Sequence, residues 1–271
     1  MQSKKAIKRN IRLVPTHMRN SGFYPISEDG EYTHITKDRG IIHSGSQYPF
    51  PPQELMQYGE SIEKHIESGK SDANRIQEIA EKYNWSKGNI LDFACSNARV
   101  LRWLDKMTDG HEAWGVDIDA NRIMWNITHL NSFHFATIQT NAHLPFSDKF
   151  FNLVYGYSIF THLDELTFTW IAEIRRVLEK DGLFIFTLLD SEAIKSKLDR
   201  NMKNKMIHDP AFEKYHDENT CMTFSHSRSN RFHTAIKRDF ICDILDKYFD
   251  ILEVADETMA GTQSLIVCRQ R

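Results

Sequence analysis

A mixed α/β sheet is predicted from three observations. From about residue 89 to residue 190, short and nearly continuous apolar runs alternate with amphipathic helical segments. Strands of that texture pair in parallel and are covered on both faces by helices. Two further apolar runs, 250–255 and 264–268, are joined by a link too short for a crossover, so they form an antiparallel hairpin. The composition is globular: 271 residues, 41% hydrophobic and 26% charged, with 12 glycines and 7 prolines. That excludes disordered, collagen-like and low-complexity chains. The expected architecture is a tail and helical cap over residues 1–85, then a domain over 86–271. That domain holds about seven strands, the last antiparallel, and an insertion at about 191–235.

The elements follow in order. Residues 1–52 are rich in turn formers and end in Pro49, Pro51 and Pro52, which do not suit a helix interior. Leu55, Met56, Tyr58, Ile62, His65 and Ile66 predict one amphipathic helix over 52–70. Ile76, Ile79, Ala80 and Tyr83 predict a second over 71–84, capped by Ser71 or Asp72. Strands are expected at 89–94, 112–118, 133–140, 151–158 and 182–189. Between them lie a helix carrying Val100, Leu101, Leu104 and Met107, a helix over 119–130 capped by Asp119, and a helix over 165–179. The last of these turns Phe168, Ile171, Ile174, Val177 and Leu178 inward. Residues 191–235 are polar and hold His208, His216, His226 and His233, and they read as a solvated lid. A helix over 238–249 leads into the closing hairpin.

Charge and cysteine usage narrow the function classes. The net charge is −3, not the strongly basic balance of a protein built to grip nucleic-acid backbone. Residues 1–20 hold six basic residues (Lys4, Lys5, Lys8, Arg9, Arg12 and Arg19) and no acid. Because the whole chain is −3 and this stretch is +6, the remaining 251 residues carry −9. Four cysteines without a C-x-x-C pair read as those of a reduced, cytoplasmic protein. No apolar run approaches the roughly 18–20 residues of a membrane span, and no apolar region follows the basic end as in a secretory signal. The histidine spacings in the lid fit no metal motif, so no metal site is expected.

The chemistry concentrates at the first strand-to-helix junction, Leu91-Asp92-Phe93-Ala94-Cys95-Ser96-Asn97-Ala98-Arg99. In an open parallel sheet, ligands bind outside the carboxyl ends of the strands. Small side chains there let a ligand approach the backbone, and a helix N-terminus favours an anionic group. Ala94, Ser96 and Ala98 are spaced by two and two. A dinucleotide fingerprint needs its third small residue at position 99, which is Arg99, and this disfavours nicotinamide binding.

The run ILDFACSNARVLRWL resembles the first motif of class I S-adenosylmethionine-dependent methyltransferases. GVDID, TNAHLPFSDKFFNLVYGYSIFTHLDE, EIRRVLEKDGLFIFT and AGTQSLIVCRQR resemble the family's later regions, in the right order. The likeness is strong over 89–190 and moderate over 236–271. PPQELMQYGESIEKHIESG is similar to the N-terminal cap of bacterial small-molecule and sugar-modifying members. The resemblance implies a Rossmann-like fold and S-adenosyl-L-methionine as cofactor. The implied acceptor is a small molecule, a sugar or secondary metabolite, methylated on oxygen or nitrogen; nucleic acid and membrane are not expected as partners, and the oligomeric state stays open. The implied cofactor residues are Asp92 at the ammonium group, the loop Ala94, Ser96, Asn97 and Ala98, Asp117 at the ribose hydroxyls, Asn141 at the adenine, Ile118 and Ala142 next to these two, and Tyr157 with Ser158 at the methyl-transfer pocket. Phe160, His162 and His226 are implied at the acceptor, with His162 as general base, and Tyr155 is a further candidate pocket wall. Arg99 and Arg102 are expected to extend to solvent from the first helix. All three glycines of the first motif are replaced. Each replacement costs very roughly 1 kcal/mol or more if it must adopt positive φ. A catalytically degenerate binding or regulatory protein of the same fold is the alternative.

Overall fold

A computed structural model describes residues 48–56, 61–108, 110–164, 166–196, 198–225, 232–256 and 263–271. The described residues divide into two compact units, one of those within 1–79 and 87–145, the other of those within 80–86 and 146–271.

In the first unit, β1 (Ile90–Phe93), β2 (Ala113–Asp117) and β3 (His134–Thr137) pair in parallel in the order β3-β2-β1. β1 is buried along its whole length, as its apolar run requires. Gly115 on β2 permits close packing: a Cβ there would lie 2.8 Å from Cys95 Sγ and from the Phe135 ring. Helix α1 (Ile62–Lys82) is one continuous helix of 21 residues where two were expected. Gly69 in its middle is what lets it cross residues 99–103, since a Cβ would stand 2.3 Å from the Arg99 carbonyl oxygen. Asp72, expected as a cap, is instead buried and ion-paired with Arg99. Of the first expected helix, residues Gln53–Leu55 form only a single 3-10 turn. The helix expected after β1 is likewise replaced by two 3-10 turns, Leu101–Trp103 and Asp105–Thr108. The left-handed backbone ahead of it, ending at Ala98, consumes the first turn. Leu101 and Leu104 are nonetheless fully buried. Helix α2 (Ala120–His129) starts as expected on Asp119, whose carboxylate accepts from Asn121 N and Arg122 N.

In the second unit, β4 (Phe151–Gly156) runs parallel to β5 (Leu178–Asp190), with α3 (Leu166–Val177) between them in sequence. The closing hairpin is antiparallel, as expected: β9 (Ser264–Gln270) pairs with β5 and with β8 (Phe249–Ala255). The fold is the mixed α/β, Rossmann-like class. Residues 191–235 are more than a solvated lid. They form α4 (Ser191–Ser196), α5 (Arg200–Ile207), α6 (Phe212–Asp217) and the hairpin of β6 (Cys221–Ser225) with β7 (Phe232–Ile236). β7 pairs in parallel with Leu189 and Asp190 of β5, and Met202, Met206, Tyr215, Met222 and Phe224 pack a core of their own. With β6 and β7, nine strands are described against the seven expected. Helix α7 (Arg238–Leu245) follows, and Arg238 donates from Nε at 2.6 Å to the fully buried Asp190. Among the described residues no helix is long and apolar enough to cross a membrane.

Candidate functional site

The loop after β1 keeps a glycine path without glycines. Ala94, Ser96 and Ala98 have φ of 65°, 52° and 54°, a region that L-residues avoid at a cost of about 1–2 kcal/mol each. Hydrogen bonds from neighbouring elements hold it there. Ser96 N donates to Asp117 Oδ2 at 2.8 Å, Asn126 Nδ2 to the Ser96 carbonyl at 2.8 Å, and Arg122 to Ser96 Oγ at 3.1 Å. Arg102 does not extend to solvent. It is buried against the rings of Phe50 and Trp125, and its guanidinium donates to the carbonyls of Ala98, Asn97 and Pro49. Burial lowers its pKa to about 9. Arg99 is likewise held, by Asp72. Neither the Arg102 clamp nor Asn126 was foreseen. Both serve backbone carbonyls, which leave no pattern in the sequence.

The two acids expected at the cofactor sit toward the carboxyl ends of adjacent parallel strands, Asp92 on β1 and Asp117 ending β2, both buried. Asp117 accepts Ser96 N on one oxygen and Asp119 N on the other, each at 2.8 Å. Burial pushes its carboxyl pKa up, opposed by those two N–H groups and by Arg122. Ile118, the next residue, is a large apolar side chain left 41% exposed. Asn141 is exposed and Ala142 half-buried in the loop after β3. Asn97 and Ala98 are both buried. Asn97 donates from Nδ2 to the Leu55 carbonyl.

In the second unit, the expected residues follow β4. Tyr157 and Ser158 are half-buried, and Ser158 has φ of 59°. Phe160, expected at the acceptor, is fully buried against Phe184 and Phe186 of β5, because its turn folds its ring back under the strands. Tyr155, on β4, is also fully buried. His162 is exposed at the end of the 3-10 turn Phe160–His162, with its ring 5.0 Å from that of His233 on β7. His226 lies outside the described residues. Ser158 is bonded to Thr187 and Gln263, two residues the sequence did not single out. No cluster of three or more histidine, cysteine or acidic side chains suited to a metal occurs among the described residues.

Residues 91–186, which contain both acids, the loop and His162, match the family model described as "Methyltransferase domain". That match spans about a third of the chain, and the cofactor of the family it describes is S-adenosylmethionine. The fold is also that of solved structures. A protein of Pyrococcus horikoshii OT3 is 22% identical, with 74% of this chain and 91% of that one covered and a TM-score of 0.55. An S-adenosylmethionine-dependent methyltransferase of Methanosarcina mazei is 17% identical, with 70% and 96% covered and a TM-score of 0.54. A glycopeptide N-methyltransferase complexed with S-adenosylmethionine is 16% identical, with 75% and 87% covered and a TM-score of 0.50. No curated protein matches the sequence.

The residues at the ends of β1 and β2 fit S-adenosylmethionine. Each carboxylate oxygen of Asp117 accepts one N–H and keeps lone-pair capacity for a hydroxyl. Ile118 offers an apolar face beside it. The loop holds the left-handed path that glycines usually provide.

Proposed function

We propose that the protein is an S-adenosylmethionine-dependent methyltransferase that acts on a small-molecule acceptor, a sugar or secondary metabolite, at oxygen or nitrogen. The observation that carries the cofactor half of this reading is the bond from Ser96 N to Asp117, which ties the strained loop to the acid at the end of β2. Bound S-adenosylmethionine supplies an electrophilic methyl group on a sulfonium. In our reading, Asp92 receives the ammonium group and Asp117 the two ribose hydroxyls, Ile118 covers one face of the adenine, and Asn141 and Ala142 meet its edge. Tyr157 and Ser158 border the methyl-transfer position. Aligning an acceptor with a methyl group that is already activated supplies several kcal/mol through proximity and orientation alone.

His162 is exposed at the end of the turn that follows β4, so its ring can take the proton that a hydroxyl or amine loses on methylation. The acidic balance of residues 21–271 favours a free metabolite over nucleic acid. The second reading, a binding protein without turnover, rests on Ala94, Ser96 and Ala98 in place of glycine.

Calorimetry with S-adenosylhomocysteine tests the cofactor half. Binding is expected, and Asp117→Ala weakens it by roughly tenfold or more, the scale of lost charge-assisted hydrogen bonds. No binding at millimolar ligand would sink the reading. A methyl-transfer screen against pooled sugars and metabolites, read by mass, tests the acceptor half. Tight cofactor binding with no methylated product supports the second reading.

A further inference from the structure

We infer that Thr187 and Gln263 are positioning residues that fix the Ser158 hydroxyl as a hydrogen-bond donor toward the bound cofactor. The inference rests on the reading of Ser158 as a cofactor residue. Its basis is an account of donors and acceptors. Ser158 N lies 2.8 Å from Thr187 Oγ1, and a backbone N–H can only donate, so Thr187 accepts there. The Thr187 hydroxyl proton is then available to Gln263 Oε1, at 2.6 Å. Thr187 is fully buried and Gln263 nearly so, which leaves that proton no competing water. With its carbonyl held by Thr187, the Gln263 amide presents Nε2 to Ser158 Oγ at 2.6 Å. Ser158 Oγ is therefore the acceptor in this closed ring. The Ser158 carbonyl is engaged by Thr161 Oγ1 at 3.0 Å.

The backbone N–H, the carbonyl and one hydroxyl lone pair of Ser158 are thus all engaged. Its hydroxyl proton has no acceptor among the described residues. Ser158 is half-buried, so that proton can reach a ligand. It stands just past the carboxyl end of β4, where a parallel sheet binds its ligands. Its left-handed φ of 59° is also accounted for, because the strained conformation is over-determined by the ring. The group that such a donor takes is a lone pair of the cofactor, such as a carboxylate oxygen.

The test is calorimetry of S-adenosylhomocysteine with the full chain, alongside thermal melting. Ser158→Ala is expected to weaken binding roughly fivefold, the worth of one hydrogen bond. Thr187→Val and Gln263→Met should weaken it to a comparable extent. Thr187→Ser, which keeps the hydroxyl, should bind as the unaltered protein does. The double variant Ser158→Ala/Gln263→Met should bind no more weakly than Ser158→Ala alone, because Gln263 acts only through Ser158. A purely structural role would lower the melting temperature without this non-additivity in affinity. If Thr187→Val does not fold, Gln263→Met and the double variant carry the test. Additive losses, or unchanged binding in Gln263→Met, overturn the inference. Unchanged binding in Ser158→Ala overturns it too. In that case a loss in Asp117→Ala shows that the cofactor reading of the domain still stands, and no loss in Asp117→Ala removes both.

Discussion

The first-motif loop isolates what single side chains do here. The absence of glycine at positions 94, 96 and 98 was visible in the sequence, and so was the strain it implied. All three residues do take positive φ. What the sequence did not show is the support, because Arg102, Asn126 and Arg122 reach the loop through backbone oxygens and one hydroxyl. Ala94 allows a clean test, since its side chain has no hydrogen-bonding role. Replacing it with glycine removes a left-handed penalty of about 1–2 kcal/mol and adds about 0.5–1 kcal/mol of backbone entropy to lose on folding. Ala94→Gly should therefore stabilise the protein by roughly 0.5–1 kcal/mol, read as a higher urea midpoint at unchanged slope. A lower midpoint would mean that the methyl group has a packing role exceeding the strain. Phe160 shows the opposite limit of sequence reading. A position next to the expected acceptor says nothing about which way a ring turns, and this ring turns into the core.

At the scale of elements, periodicity located most strands and failed where packing overrides it. The 62–82 segment looked like two helices because Gly69, Ser71 and Asp72 together resemble a stop and a restart. Two of them have another role in the single helix. Asp72 faces Arg99, and Gly69 lets the helix backbone approach the Arg99 carbonyl. The three short helices of 191–235 gave no usable period, since six to eight residues complete barely two turns. Gly69 yields a prediction against helix propensity. In an exposed helix, Gly→Ala gains about 1 kcal/mol. Here the added Cβ would fall 2.3 Å from a backbone oxygen and 2.9 Å from Trp103 Nε1. Gly69→Ala should therefore destabilise the protein by about 1–3 kcal/mol, the usual cost of overpacking, measured by urea denaturation. A gain in stability would show that α1 does not cross residues 99–103 as closely as described.

For the molecule as a whole, the sheet class was legible because alternation over a hundred residues averages out local ambiguity. The closing antiparallel hairpin was legible because its link is short. The hairpin β6–β7 was not, since its polar surroundings masked two five-residue strands. Charge is a property of the whole chain and leads to the last prediction. Residues 1–12 hold Lys4, Lys5, Lys8, Arg9 and Arg12, five of the six cations of the basic end, while residues 21–271 are net acidic. A polyanion would be drawn to such a segment with a steep salt dependence. S-adenosylhomocysteine carries one carboxylate and one ammonium and has no net charge to be drawn. Beyond a Debye length of about 8 Å at physiological salt, the segment exerts little force on it in any case. Removing residues 1–12 should therefore leave S-adenosylhomocysteine affinity unchanged at both low and physiological salt, as read by calorimetry. A large loss at low salt alone would mean that the cations act on the ligand electrostatically. A loss that persists at high salt would mean that the basic end contributes contacts to the cofactor site, and the site described above would need extending to include it.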